Sequence, residues 1–414
     1  MILRARLVLP MTGPVIEDGA LVTSDERIVT VARWADVQPH VSQKADDLGD
    51  VVLLPGLIDA HCHLDYTNMA GRISPPRSFA DWIKTIVALK AEWSYTEFAE
   101  SWLRGAEMLL RSGTTTVADV EAVPELLPEM WQSTPLRVIS FRELINLKPR
   151  PTPEELVRQA ASQWAVLPDS GRRLGLSPHA PYTTSAELLG VAAHEARRRK
   201  WLLTTHVAES EQEFEMFMYR HGPLYDWLKS QRDMSDCGQG SPVHHLERAD
   251  YLGDNLLAVH VNYLWRHDAA TLAKYGVSVA HCPRSHEYFR HLLFPRRELA
   301  EAGVNVCLGT DSLASVSKVH GEAPKLSMFA EMKTLARIEP ELAPHTILEM
   351  ATTNAARALK REGELGILRE GARADVIAVP FSGRSESVHE ALVHFEGPVQ
   401  GSMIDGRWAI APNE

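Results

Sequence analysis

The sequence predicts an α/β protein: a (β/α)8 barrel carrying a small β domain made from both chain ends. Three observations predict it. Strand-like apolar segments alternate with helical stretches eight times over about 300 residues, the size and rhythm of such a barrel. Short β segments broken by Gly, Asp and Pro occupy both termini. Histidines and carboxylates recur at the carboxyl ends of the barrel segments, where folds of this class build their sites.

At the amino end, Leu3–Leu9, Ala20–Thr23, Arg27–Val31 and Val51–Leu54 read as strands. At the carboxyl end, Ala374–Val379, Val399–Ile404 and Arg407–Ile410 do so, with turns at Gly397-Pro398 and Asp405-Gly406. One small sheet built from both ends is therefore expected, with residues 1–54 and 360–414 forming a composite β domain and residues 55–359 the barrel.

The eight barrel segments are Leu57–His63, Thr114–Val120, Leu136–Glu143, Arg173–His179, Trp201–Val207, Asn255–His260, Val277–His281 and Asn305–Thr310. Most are near-continuous apolar runs, as strands buried on both faces are. Helical stretches intervene, among them Phe98–Arg111, Ala186–Arg199, Ala269–Tyr275 and Pro295–Ala302. A doubly wound open sheet is the competing arrangement, because a linear pattern does not show closure. No GxGxxG or GxxxxGK element supports nucleotide binding in such a sheet.

The 414 residues are 45% apolar and 23% charged, an ordinary globular balance. Lysine and arginine number 43 against 54 acidic residues, a net charge of −11, which argues against nucleic acid or an anionic membrane as the main partner. A small molecule is the expected partner, and a homodimer is left open. Met1–Pro10 lacks the long apolar core of a signal peptide, and no segment reaches the roughly twenty apolar residues that span a bilayer. The four cysteines (Cys62, Cys237, Cys282 and Cys307) are widely spaced, with no CxxC pair, so neither a disulfide framework nor a thiolate zinc knuckle is expected. The expected location is the cytoplasm.

The chemistry concentrates at the strand ends. The first strand closes on His61-Cys62-His63, where alternation places both imidazoles on one face and Cys62 on the other. An HxH pair alone is weak, since two loop histidines give the same pattern. The fifth strand ends at His206, with Glu209 three residues on; the sixth ends at His260, the seventh at His281, and the eighth at Asp311. Singly, His281 or His179 is as well read as a hydrogen-bonded core histidine. As a set, the placement is not chance. His61, His63, His206 and Asp311 supply three neutral nitrogens and a carboxylate, a set suited to one divalent ion, Zn2+ first and Fe2+ second, with a position left for water. A metal lowers the pKa of its water to about 7, giving hydroxide at neutral pH. Asp311 can take that water's proton, His260 can orient the water, and Glu209 can deliver a proton to the substrate. The mundane alternatives are a structural histidine for His260 and, for Glu209, a surface carboxylate heading an acidic helix Glu209–Glu215.

These residues resemble the amidohydrolase superfamily, in its deaminase and chlorohydrolase branch. The resemblance rests on Pro55-Gly56-Leu57-Ile58-Asp59-Ala60-His61-Cys62-His63, His206-Val207-Ala208-Glu209, His281-Cys282-Pro283-Arg284-Ser285 and Gly309-Thr310-Asp311-Ser312, and it runs through the tail at Ala351–Ala356 and Gly366–Asp375. It implies a distorted TIM barrel with a small β-sandwich from both termini. It also implies His61, His63, His206 and Asp311 as metal ligands, Glu209 as proton shuttle and His260 as partner of the water. Dinuclear relatives carry a carboxylated lysine on the fourth strand; here that strand ends Ser177-Pro178-His179, and Lys148 follows the third, so one metal is expected. In nucleoside-like deaminases of the branch the fourth-strand histidine holds ribose or purine, which makes His179 a substrate-binding candidate; His281 at the end of the seventh strand and Ser285 beyond it are further candidates. The usual Ser-Asn of that motif reads Ser285-His286 here, a departure that bears on the subfamily.

The segment from Asp65 to Trp93 is expected to overhang the barrel mouth. Ser78-Phe79 with Trp82-Ile83 resembles the equivalent region of aminodeoxyfutalosine and adenosine-type deaminases, so Trp82 is a candidate for a planar ligand and Arg72 for a carboxylate. Phe79, Trp82, Ile83 and Ile86 also have the spacing of a helix's buried stripe. The leading expectation is hydrolytic deamination of an aminated purine or nucleoside-like compound, in which hydroxide attacks the carbon bearing the amino group. Dechlorination or cyclic-amide opening is the alternative on the same machinery, and an inactive scaffold the alternative of another class.

Overall fold

In the computed structural model, which describes residues 1–41, 44–167, 174–318 and 321–412, the two chain ends meet in one eight-stranded mixed sheet. Its strands are β1 (Ile2–Val8), β2 (Ile16–Ser24), β3 (Arg27–Arg33), β4 (Asp46–Asp47) and β5 (Val51–Pro55) from the amino end. The carboxyl end adds β14 (Val376–Pro380), β15 (Gly401–Ile404) and β16 (Arg407–Ile410). The junction is the antiparallel pair β5–β14, running from Val51↔Pro380 to Pro55↔Val376. The predicted two-ended sheet is present.

Between these ends lie β6 (Leu57–Cys62), β7 (Thr114–Glu121), β8 (Arg137–Leu144), β9 (Leu174–Pro178), β10 (Leu202–Val207), β11 (Leu256–His260), β12 (Ser278–His281) and β13 (Asn305–Leu308), all parallel and paired in chain order. Each coincides with a predicted strand to within a residue or two; Arg173, the expected start of the fourth, lies outside the described residues. The helix Ala186–Arg199 matches its predicted span, starting where Ser185 Oγ accepts the Leu188 N–H at 3.1 Å and ending at left-handed Lys200.

Closure, the point the sequence left open, is made between β13 and β6. The Asp311 N–H donates to His61 O at 3.0 Å, and the His63 N–H donates to Asp311 O at 3.2 Å. This approach needs Gly309, because a Cβ there would meet the His61 backbone N at 2.9 Å and O at 2.8 Å. Pairing between β6 and β7 shifts register twice, between Leu57 and Ile58 and between Asp59 and Cys62, so the barrel is distorted where the HxH pair sits. Inside it, Ile58, Val120, Ile139, Phe141, Val259 and Cys307 form an apolar plug beneath the polar rim. The terminal sheet is held to the barrel by an ion network, with Arg137 Nη2 3.0 Å from Asp375 and 2.7 Å from Asp405.

Candidate metal centre and active site

Five buried polar groups converge at the carboxyl end of the barrel. His61, His63 and His206 place one ring nitrogen each within 4.8 Å of one another, and so do His61, His260 and Asp311 with a nitrogen or carboxylate oxygen each. His63 Nε2 and His206 Nε2 are 3.2 Å apart, while Asp311 Oδ1 lies 3.7 Å from His61 Nε2 and 3.9 Å from His63 Nε2. The four ligands expected from sequence are thus brought together, and His260 joins them.

Local backbone aims these groups. His260 and Asp311 adopt left-handed φ values of 74° and 55°, and Ala208 one of 50° before Glu209. Such conformations cost non-glycine residues about 1–3 kcal/mol each and persist where surroundings enforce them. Here the bonds between Asp311 and β6 do so, as does the Asn262 N–H donated to Ala208 O at 2.9 Å. Beneath the pair, fully buried Asp59 accepts from Thr310 N at 3.0 Å, Thr310 Oγ1 at 2.6 Å and His61 N at 3.3 Å, bracing the backbone that carries His61 and Asp311.

The residues fit a single cation. The His206 Nδ1–H donates to the His179 carbonyl at 2.7 Å, which fixes the tautomer and leaves the Nε2 lone pair facing His63. Among the described residues, the buried Nε2 atoms of His61 and His260 have no hydrogen-bond partner. Burial and neighbouring imidazoles push His206 well below the ordinary range, and burial with the His61 charge takes His63 to about 3, so both are neutral donors. Burial opposes ionisation of Asp311, but facing His61, His260 and His63 outweigh it and hold the carboxyl well below its usual range. Asp311 Oδ2 also accepts from Ser315 Oγ at 2.9 Å.

Glu209 is 5% exposed and lies ahead of the helix Glu211–Tyr219, so it is no surface carboxylate. Its N–H donates to Glu213 at 2.9 Å, its carbonyl accepts from Asn262 Nδ2 at 2.9 Å, and its Oε1 lies 3.7 Å from His260 Nε2. Burial, then Asp311 and Glu213, push its carboxyl well above the ordinary range, which favours the proton-carrying form.

The chain matches the Amidohydrolase family over residues 52–409. It belongs to that family. It shares 32% identity over 380 residues with the 5-methylthioadenosine/S-adenosylhomocysteine deaminase of Syntrophobacter fumaroxidans, covering 84% of this chain and 80% of that protein. With the aminodeoxyfutalosine deaminase of Deinococcus radiodurans it shares 28% over 364 residues, 85% of this chain and 84% of the relative. An adenosine deaminase from Xanthomonas campestris with bound zinc superposes with a TM-score of 0.83 at 25% identity, covering 100% of this chain and 93% of that one. As a member of this family the chain is a metal-dependent hydrolase, and the relatives named above are deaminases, which act on C–N bonds other than peptide bonds.

The remaining candidates fall in different places. His179 stands on the rim, its ring 4.9 Å from that of His206 and its Nδ1 2.7 Å from Thr183 Oγ1. His281 is buried, stacked on Phe294 at 3.8 Å, and Ser285 is buried in the helix Pro283–Phe289. His286 is buried beside His281, and its Nε2 finds no hydrogen-bond partner among the described residues. Trp82 sits half-buried in the overhanging helix Phe79–Ala91, packed on Phe79 and Phe289, its indole N–H 3.4 Å from the Ala314 carbonyl. Phe79, Ile83 and Ile86 are buried, as the helical stripe required. Arg72 is exposed and lies over the Trp93 ring at 6.0 Å. Lys148 is exposed as well. Sequence reasoning passed over Asp59 and Glu143, although Glu143 ended the third predicted strand and the strand-end rule applied to it equally.

Proposed function

We propose that this chain deaminates an adenosine-type nucleoside hydrolytically, with one divalent ion, zinc, held by His61, His63, His206 and Asp311. The observation that carries the reading is the placement of a buried, proton-retaining Glu209 3.7 Å from His260 at the edge of that four-group set. The names of the relatives support the substrate class.

A bound metal supplies acidified water, with a pKa near 7 in place of 15.7. Glu209 delivers a proton from its carboxyl to the ring nitrogen next to the amino-bearing carbon, so that electrons displaced from the ring have somewhere to go. His260 Nε2 orients the attacking water, and Asp311 accepts the proton the water gives up and passes it to the amino nitrogen. The bond from that nitrogen to the ring carbon then breaks as ammonia leaves, while the remaining hydroxyl proton returns to the Glu209 carboxylate. Glu209 therefore starts with a proton to give and Asp311 starts ionised and able to take one, the complementary starting states of an acid and an acceptor. Burial of the cluster excludes bulk water, so these transfers occur between fixed groups. His179, on the rim, contacts the purine edge, and Trp82 covers it. A cytoplasmic location belongs to the same proposal; no helix among the described residues is long and apolar enough to cross a membrane.

The test is ammonia release by the zinc-loaded protein across adenosine-type, guanine-type and triazine-type compounds. Turnover highest on adenosine-type nucleosides is expected. Ammonia from none of the aminated heterocycles would sink the proposal.

A further inference from the structure

We propose that Glu143 is a specificity-determining residue whose carboxylate accepts two hydrogen bonds from a vicinal diol on the non-reacting part of the substrate. The inference rests on the deaminase reading above and names the substituent that the site selects.

Position comes first. Phe141 belongs to the apolar plug inside the barrel, and a Cβ on Gly175 of the neighbouring strand would meet its ring at 2.5 Å. Strand alternation puts Glu143, two residues on and paired with Ser177, on the same axis-facing side one layer higher. That layer is the rim, where its carboxylate lies in the field of Lys90, His179, His63 and Arg142. Lys90 is held there over the Tyr66 ring at 4.6 Å, and that ring in turn stacks on His63 at 5.2 Å.

Availability comes second. The neighbouring carboxylates are committed within the protein. Asp119 takes Leu64 N at 2.8 Å and Trp102 Nε1 at 2.7 Å, Glu121 takes Ser140 Oγ at 2.7 Å, and Glu213 takes Glu209 N at 2.9 Å. Asp65 has no hydrogen-bond partner for its carboxylate among the described residues but is sealed, at 2% exposure. Glu143 is only partly buried and, among the described residues, accepts no hydrogen bond.

Chemistry then selects the ligand. A carboxylate has two oxygens side by side and only accepts, so it matches two adjacent O–H donors. An ammonium group would suit it equally were Lys90 not beside it. A phosphoryl group in the same place would be repelled.

The test compares adenosine with 2′,3′-dideoxyadenosine as substrates of the full-length zinc-loaded protein, for wild type, Glu143→Ala and Glu143→Gln, with zinc content measured for each. Wild type is expected to prefer the diol by at least about tenfold in kcat/KM, because a site built for hydroxyls rejects analogues lacking them. Glu143→Ala should bring the two substrates to within roughly threefold, mainly through KM on adenosine, with zinc content unchanged. Glu143→Gln, close in volume and with one acceptor left, should fall between, and it carries the comparison if the alanine variant does not fold. Wild type without diol preference, or variants that keep it, would overturn the inference while leaving the deaminase reading intact. An equal loss on both substrates marks a structural role and also overturns it. No ammonia from any aminated nucleoside in wild type defeats the deaminase reading, and this inference with it.

Discussion

Replacing Glu209 with Gln separates proton transfer from every other property of the site. The side chain keeps its volume at a position only 5% exposed, and the backbone bonds that place it, to Glu213 and from Asn262 at 2.9 Å each, do not involve the changed atoms. Because burial already favours the neutral carboxyl, the neutral amide imitates its charge as well. What disappears is a transferable proton. General acid–base catalysis contributes on the order of 10²–10⁴-fold, and at 1.36 kcal/mol per decade the barrier rises by about 2.7–5.4 kcal/mol. Glu209 is not among the groups whose nitrogens and oxygens cluster for a metal, so zinc content should stay at the wild-type level. Steady-state ammonia release, read beside elemental analysis of the same preparation, measures both quantities. A variant within a factor of a few of wild-type kcat would refute the shuttle role. One that loses zinc in proportion to activity would show that Glu209 belongs to the metal set instead.

Other perturbations probe the frame. His206→Ala removes a nitrogen that faces His63 at 3.2 Å and should weaken metal retention by on the order of tenfold or more, seen as zinc lost on dialysis; full retention would remove His206 from the ligand set. Chelation should lower thermal stability, since a ligand held at a hundred times its Kd stabilises by about 2.7 kcal/mol, and calorimetry with and without a chelator would detect it; identical transitions would argue against a bound ion. Asp375→Ala leaves Arg137, with its side chain 12% exposed, without its buried partner, at a cost of about 3–5 kcal/mol in urea unfolding. A loss below about 1 kcal/mol would mean that Asp405 alone neutralises Arg137. Asp59→Ala should strand the Thr310 and His61 donors, lowering stability by about 1–3 kcal/mol per unsatisfied group and loosening zinc; unchanged zinc affinity would confine Asp59 to folding.

Much of this was legible because the fold repeats one rule. Strands buried on both faces must be apolar until they leave the core, so the first polar residue past each run marks the rim, and His61, His206, His260 and Asp311 stand there. Closure was not legible, since it depends on contacts such as Thr310 with Asp59, 251 residues apart in sequence. Nor was the difference between Asp59, which braces backbone, and Glu143, which faces the rim uncommitted. Both are carboxylates on barrel strands, and only their partners tell them apart. Arg72 shows the converse: polar character in an overhanging segment says nothing of direction, and its guanidinium turned onto Trp93. The Phe79–Ala91 helix satisfied two readings at once, burying Phe79 and Ile83 while leaving Trp82 half-open.

The bond between β13 and β6 has a consequence for how the protein is made. His61 and His63 emerge early in synthesis and Asp311 late, yet they share one cluster at the joint where the first barrel strand meets the last. The set that includes Asp311 cannot assemble on a nascent chain until that joint has formed. An ion captured there would act as a clasp on a completed ring, and metal retention would mark the chains in which the first and last barrel strands have met.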